Sequence, residues 1–334
     1  MFLLLESISN VTSPAIDVIQ NSTNRTACHS TDWWLYTMQP VYIFLIAALG
    51  IVCNLFVLSV FCFHKKPCNV PEIYLTNLAA ADLVLVSCLP FWAVYITKKF
   101  NWIFGKFLCQ LVNMGIRMNA YCSIYFLVLI SIDRYVALVY PLSHGRKRSP
   151  KLAKLGCLMM WGVGFLLGLP TFIYRKVVPS GQNDTHKCIE DEIVRLVSDL
   201  LLAILGFIIP VSIICYCTAK IVHALRNRLS ERYTTENTEN KATTLMLVVL
   251  VAFLICWVPF HVVKILNIFK GAGLVKRCDF IIALENSLQI FGYLAFFNSV
   301  LNPILYVIAG RSFRKKVCEL CMPNSFHPVG STTL

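Results

Sequence analysis

The chain has 334 residues, of which 57% are hydrophobic and only 14% charged, and its mean hydropathy is +0.67. A soluble domain carries about 25% charged residues, so this composition excludes an ordinary globular enzyme and points to a chain that lives in a bilayer. The net charge of +13 would suggest a nucleic-acid partner in a soluble protein, but no aromatic–basic nucleic-acid motif occurs, and Lys and Arg facing anionic lipid account for it better.

The opening MFLLLESISN has too few apolar residues before Glu6 for a signal-peptide core, so the first long apolar segment is expected to act as an uncleaved signal-anchor. Residues 1–36 are rich in Ser, Thr and Asn and carry three glycosylation sequons, starting at Asn10, Asn21 and Asn24. That clustering predicts an extracellular, mostly disordered tail. Seven apolar segments follow, at roughly 38–63, 71–97, 107–140, 152–173, 196–225, 242–269 and 281–309, each long enough to span a bilayer. The predicted fold is an all-α membrane protein: a seven-transmembrane bundle over residues 37–310, then an amphipathic helix and short cytoplasmic tail over 311–334.

The third segment, from Cys109 to Tyr140, would be about 48 Å long as a helix, against a bilayer core of ~30 Å. It carries Arg117, Asn119, Ser123 and the triplet Asp133-Arg134-Tyr135, and a charge inside a span is costly enough to suggest function. With the tail outside, Lys and Arg are in modest excess on the cytoplasmic side, and a fourth sequon at Asn183 also falls outside. Localisation in the plasma membrane with the N-terminus extracellular follows. The outer loops also collect acids, including Glu190, Asp191, Asp199 and Glu285, and an acidic rim would favour a cationic ligand.

Four of the fifteen cysteines, Cys28, Cys109, Cys188 and Cys278, lie outside, which suggests two disulfides whose pairing spacing leaves open. After the seventh segment, Phe313 and Val317 share a helix face opposite basic residues, suiting a short helix on the membrane surface, and Cys318 and Cys321 are palmitoylation candidates.

Polar residues also recur at mid-membrane depth: Asp82, Asn54, Asn119, Ser123, Asn298, Ser299 and Asn302. A carboxylate there needs partners. Either these residues form an interhelical hydrogen-bond network, or they also hold a hard cation such as sodium. No other cofactor is expected. Near the cytoplasmic end, Arg134 could pair with Asp133 or with Glu239 of the sixth segment, a breakable latch.

Asp133-Arg134-Tyr135, Cys256-Trp257-Val-Pro259 and Asn302-Pro303-Ile-Leu-Tyr306 resemble the three signature motifs of rhodopsin-like (class A) G-protein-coupled receptors, and Asn54, Asp82, Trp161 and Pro210 match reference positions of their spans. The resemblance covers all seven spans. It implies a Cys109–Cys188 disulfide. Arg134 would grip a G protein, and Trp257, Pro303 and Tyr306 would belong to the switch. Thr218 stands where the family has a tyrosine, which puts the usual tyrosine–tyrosine contact of the active state in doubt. The opsin lysine and the amine-receptor aspartate would fall at Phe296 and Ile116, excluding both chemistries.

FVLSVFCFHK, EIYLTNLAAADL, LPFWA, FNWIFG, SIDRYVALV and ATTLMLVVLVAFLICWVPF are closely similar to the kinin (bradykinin) receptors, with a type-2-like framework. This resemblance implies a kinin-like peptide ligand and a heterotrimeric G protein of the phospholipase-C-linked Gq/11 class, with arrestin as a further partner. Glu285 occupies one of two acidic positions that meet the peptide's basic end; the other is Asn267. Arg117 and His261 look more like the type-1 receptor, and Arg117 is the candidate for the peptide's terminal carboxylate. Gln289 and Trp257 complete the expected ligand-facing set. A receptor for an angiotensin-like or chemokine-like peptide is the alternative. A transporter is disfavoured because the chain halves show no inverted repeat, and a hydrolase because neither Gly-x-Ser-x-Gly nor a metal-ligand cluster occurs.

Overall fold

The structure is a computed structural model that describes residues 33–140, 149–180, 184–231, 237–271 and 278–321; within these, the side chains at 33–36, 225, 227–231, 237–246, 268–271, 278–279, 281–282, 285, 309 and 311 are not described. Its helices are α1 (Trp33–Phe63), α2 (Val70–Thr97), α3 (Gly105–Val139) and α4 (Pro150–Tyr174), then α5, α6 (Asn237–Gly271), α7 (Cys278–Ala309) and α8 (Arg311–Cys321). Helix α5 runs as Glu192–Ala203 and Ile209–Glu231, joined by a π-helical turn at Ile204–Ile208. Seven of these helices are long and apolar enough to cross a membrane, as the hydropathy predicts.

Local chemistry sets the helix starts. At α2, Asn69 accepts from the Glu72 amide at 3.1 Å and Glu72 accepts from the Asn69 amide at 2.9 Å, a capping box with Pro71 in the first turn. Ser149 caps α4 ahead of Pro150, and Asp191 caps α5 through the Ile193 amide. Pro40, Pro90, Pro170, Pro259 and Pro303 all sit inside helices, where neighbouring helices can satisfy the freed carbonyls.

Helix α3 is the axis of the bundle and packs on α2, α4, α5 and α6. Its approach to α4 is close enough that a methyl group at Gly164 would collide with the Cys122 sulfur. Large apolar side chains such as Leu158, Leu166 and Ile255 are exposed on the outer faces, an inside-out surface suited to lipid.

Between α4 and α5 lies an antiparallel hairpin, β1 (Arg175–Pro179) and β2 (His186–Glu190), in which Arg175 faces Glu190 and Val177 faces Cys188. The sequence reading expected only a loop here. Two strands of five residues are marginal alone, and this pair is held from outside. The Trp102 amide donates to the His186 carbonyl at 2.8 Å, Asn101 accepts from the His186 amide at 2.9 Å, and Gln110 donates to the Arg175 carbonyl at 3.2 Å.

Helix α8 corrects one expectation. Phe313 is buried against Phe61 and Phe56, at ring distances of 5.4 and 6.0 Å, and Val317 packs beside it. Lys316, however, is on this packed side rather than opposite it: its ammonium lies 2.8 Å from Glu72, which also accepts from Ser312. One face of α8 is therefore docked on the bundle by an apolar contact and a buried ion pair.

Candidate functional site

Three polar layers are threaded by α3. The outermost is organised by the hairpin. A Cys109–Cys188 disulfide joins the start of α3 to β2, as the family resemblance implies, and Asn113 and Arg175 donate to the Cys188 sulfur and carbonyl respectively. Because side chains alternate along a strand, Cys188 and Glu190 point to the same face, into the bundle.

Below them lies a buried cluster of five charges. Arg117 (α3) reaches Glu190 (β2) at 3.4 Å and Asp199 (α5) at 3.8 Å. Arg175 (β1) lies 3.9 Å from Glu190, and Lys264 (α6) lies 2.9 Å from Asp199. None of the five is more than 5% exposed. This corrects the acidic-rim expectation: Glu190 and Asp199 are interior acids held by basic side chains, and Asp191 is a helix cap. Charges so deep are costly to desolvate, so breaking one partner of such a set costs more than a surface pair would.

Beneath the cluster, His261 stacks on Phe207 of the π turn at 4.2 Å and approaches Trp257 at 5.8 Å, and Trp257 in turn contacts Phe253 and Phe260. Gln289 is buried nearby on α7's inner side, and Asn267 is half-buried at the outer end of α6. The backbone places Glu285 one turn before Gln289 in α7, while its side chain lies outside the described set. Phe296 and Ile116 are both fully buried apolar positions, so neither a Schiff-base lysine nor an amine-binding acid is present there.

The middle layer is the predicted network. Asn302 donates to Asp82 at 2.9 Å, and Ser123 and Asn119 reach the other carboxylate oxygen at 3.4 Å. Asn119 also donates to Ser123 at 2.9 Å and to the Ala81 carbonyl at 2.8 Å. Ser299 takes part through its carbonyl, which accepts from Asn54 at 2.9 Å. Asn298 is buried, and its amide oxygen and that of Asn302 accept no hydrogen bond among the described residues. A carboxylate, a hydroxyl and spare amide oxygens are a donor set that fits a hard cation.

In the innermost layer Arg134 pairs with Asp133 at 2.8 Å, the first of the two acids considered for it. The Glu239 side chain lies outside the described residues. Tyr306 is fully buried one turn after Pro303, which lies inside α7. Thr218 offers no ring, but Tyr216, two residues earlier, places its own 6.0 Å from that of Tyr135, and Tyr135 also donates to the Tyr140 hydroxyl at 3.3 Å. Sequence reasoning missed Tyr216 because it looked only at the family position. Cys318 and Cys321 are exposed free thiols on α8. Asn10, Asn21, Asn24, Asn183, Cys28 and the side chain of Cys278 lie outside the described residues.

Sequence reasoning also missed Lys264, Arg175, Glu190 and Asp199 as a set. Their only sequence signal is charge within or beside apolar segments, and three of the four stand near segment ends, where a solvated charge is ordinary.

Comparison with known proteins bears on the same residues. The pattern of the 7 transmembrane receptor (rhodopsin family) matches residues 53–306. The B2 bradykinin receptor of Homo sapiens is 43% identical over 303 residues, covering 89% of this chain and 78% of that protein. The B2 bradykinin receptor of Sus scrofa is 43% identical over 320 residues, covering 93% and 87%. The B1 bradykinin receptor of Macaca fascicularis is 39% identical over 320 residues, covering 92% and 91%.

Proposed function

The chain belongs to the rhodopsin family of seven-transmembrane receptors, in its bradykinin-receptor branch, and from that premise we propose that it is a plasma-membrane receptor for kinin-like peptides that activates a heterotrimeric G protein of the phospholipase-C and calcium class. The observation that carries this reading is the continuity of α3. One helix holds Arg117 under the hairpin, Asn119 and Ser123 beside Asp82, and Arg134 at its inner end. The tail would lie outside, Arg117 would meet the peptide's terminal carboxylate, and Glu285 its basic amino-terminal end. The G protein, and arrestin after it, would engage the face that carries Arg134.

A peptide drives such a receptor only through differential affinity for its active form. Moving the population from 1% to 99% active needs ~5.5 kcal/mol of that difference. The inner end of α6 is the element expected to move. We assign sodium as the middle-layer occupant of the inactive form; agonist affinity unchanged when sodium is replaced by a bulky organic cation would remove that assignment.

The test of the main reading is a titration of full-length and arginine-trimmed kinins on cells expressing the chain, with intracellular calcium as readout. A saturable response is expected. Silence of every kinin at micromolar dose, with the receptor at the surface, would reject it.

A further inference from the structure

We propose that Ser312 is a phosphorylation site, and that a phosphate there undocks α8 by taking Lys316 away from Glu72. The proposal uses the orientation inferred above, with α8 inside the cell, and is independent of the ligand.

Glu72 is buried in the first turn of α2, and both of its oxygens are engaged. One accepts from the Ser312 hydroxyl at 2.8 Å; the other accepts from the Asn69 amide at 2.9 Å and from the Lys316 ammonium at 2.8 Å. Two of these three bonds come from α8. Ser312 and Lys316 stand four residues apart, so they share one face of that helix. Lys316 is buried, whereas Ser312 is exposed. Ser312 is also the second residue of α8, directly after Gly310 and Arg311, and a helix end of this kind frays readily.

The surrounding sequence is Arg311-Ser312-Phe313-Arg314-Lys315-Lys316, and Arg314 and Lys315 are exposed. A serine set among basic residues suits a serine/threonine kinase with an acidic peptide groove, by complementary charge. In the transfer the Ser312 oxygen attacks the γ-phosphorus of ATP. A new oxygen–phosphorus bond forms, the bond to the β–γ bridging oxygen breaks, ADP leaves, and the hydroxyl proton passes to the kinase's carboxylate base.

The product inverts the joint. The hydroxyl donor becomes an ester oxygen with no hydrogen, so Glu72 loses one bond, and a group of about −1.5 to −2 charge stands beside its carboxylate. Like charges this close, shielded from water on one side, repel strongly. The phosphate meanwhile finds partners on its own helix: Lys315 and Lys316 lie three and four residues further on, and the start of a helix favours an anion. Helix α8 therefore keeps its fold while losing the ion pair that ties it to α2. The Phe313 contact with Phe61 and the Glu319 bonds to His64 and Lys66 remain, so the release is partial and centred on the first turn. Gly310 relays it to α7, because its amide donates to the Tyr306 carbonyl at 3.0 Å.

The experiment incubates purified, reconstituted receptor with ATP and a constitutively active basophilic serine/threonine kinase, and maps phosphate by fragment mass. Spin labels on Cys318 and on Lys151→Cys at the start of α4, with the other reactive thiols replaced, report the position of α8. Phosphate should be found on Ser312, and a second, longer label distance should appear, with the undocked-to-docked ratio raised about tenfold, the scale of one charged hydrogen bond. Ser312→Glu should shift the distance in the same direction without kinase. Ser312→Ala should stay docked through Lys316 and show no kinase-dependent shift. In Glu72→Gln, phosphate should leave the distance unchanged, because neither the repelled carboxylate nor the ion pair is there.

A Ser312 that takes no phosphate in the purified receptor overturns the site. Phosphate on Ser312 with an unchanged distance, or with an equal shift in Glu72→Gln, overturns the switch. The purified receptor reads both whichever way the chain is inserted in a cell. Silence of every kinin, with the phosphate-dependent shift present, rejects the kinin reading and keeps the switch.

Discussion

Replacing Asn119 with alanine tests the middle layer most directly. Asn119 makes two bonds to α2, one to the Ala81 carbonyl at 2.8 Å and one to Asp82 at 3.4 Å, besides its contact with Ser123 on its own helix. Interhelical hydrogen bonds in membranes contribute about 0.6 kcal/mol each, so Asn119→Ala removes about 1.2 kcal/mol from the conformation that holds them. If that conformation is the inactive one, the active fraction rises about sevenfold, from roughly 1% to about 7% without ligand. Nucleotide exchange on a reconstituted G protein, normalised to receptor number, reads this directly. Ser123→Ala, which loses a 3.4 Å contact to Asp82 and the bond from Asn119, should have a smaller effect. Basal exchange in Asn119→Ala no higher than in the parent would refute the reasoning, because the network would then not distinguish the two conformations.

The remaining expectations concern the two ends. Arg117→Ser should raise the preference for kinins that keep their terminal arginine over trimmed ones by about tenfold, the scale of one charged hydrogen bond, with Asp199 still paired to Lys264 and Glu190 to Arg175; unchanged relative potencies would take Arg117 out of carboxylate recognition. Glu285→Ala should weaken basic-ended peptides more than analogues with a neutral amino-terminal residue, and competition binding showing equal loss for both would make Glu285 structural. On the inner side, hydrogen bonds from His64 at 2.9 Å and from Lys66 hold the Glu319 carboxyl below the usual carboxylate range. Its contribution to docking α8 should therefore be complete above that range and disappear only as pH falls through the lowered value. A fluorophore on Cys321 in a receptor whose other reactive thiols are blocked should report the release, and Glu319→Gln should remove this acid transition.

Much of the architecture was legible from hydropathy, because a bilayer demands long uninterrupted apolar helices and the chain supplies seven. The middle layer was legible for the converse reason: Asp82, Asn119, Ser123 and Asn302 are conspicuous where nearly everything else is apolar. The Cys109–Cys188 bridge came from family resemblance, since spacing leaves several pairings open. What escaped notice was pairing between distant segments that share no period. Arg175 and Glu190 look like loop charges until the hairpin sets them opposite one another. Lys264 is a single charge in the sixth apolar segment, and nothing in sequence points it at Asp199 on another helix. Lys316 breaks the amphipathic pattern of α8 because Glu72 receives it.

The π turn in α5 has a consequence for helical phase. Regular α-helix advances about 100° per residue, so eight residues of it would rotate Asp199 about 80° away from the direction of Phe207. Yet Asp199, Ala203 and Phe207 are all buried at four-residue intervals through the wide turn, and Pro210, Ile214, Cys217 and Ile221 continue inward below it at the ordinary spacing. The turn acts as a phase corrector that lets one helix serve two registers, an ionic one above and an apolar one below. A single-residue deletion within Ile204–Ile208 would restore one continuous phase and swing the Asp199 carboxylate toward lipid, while leaving the lower half of α5 in place.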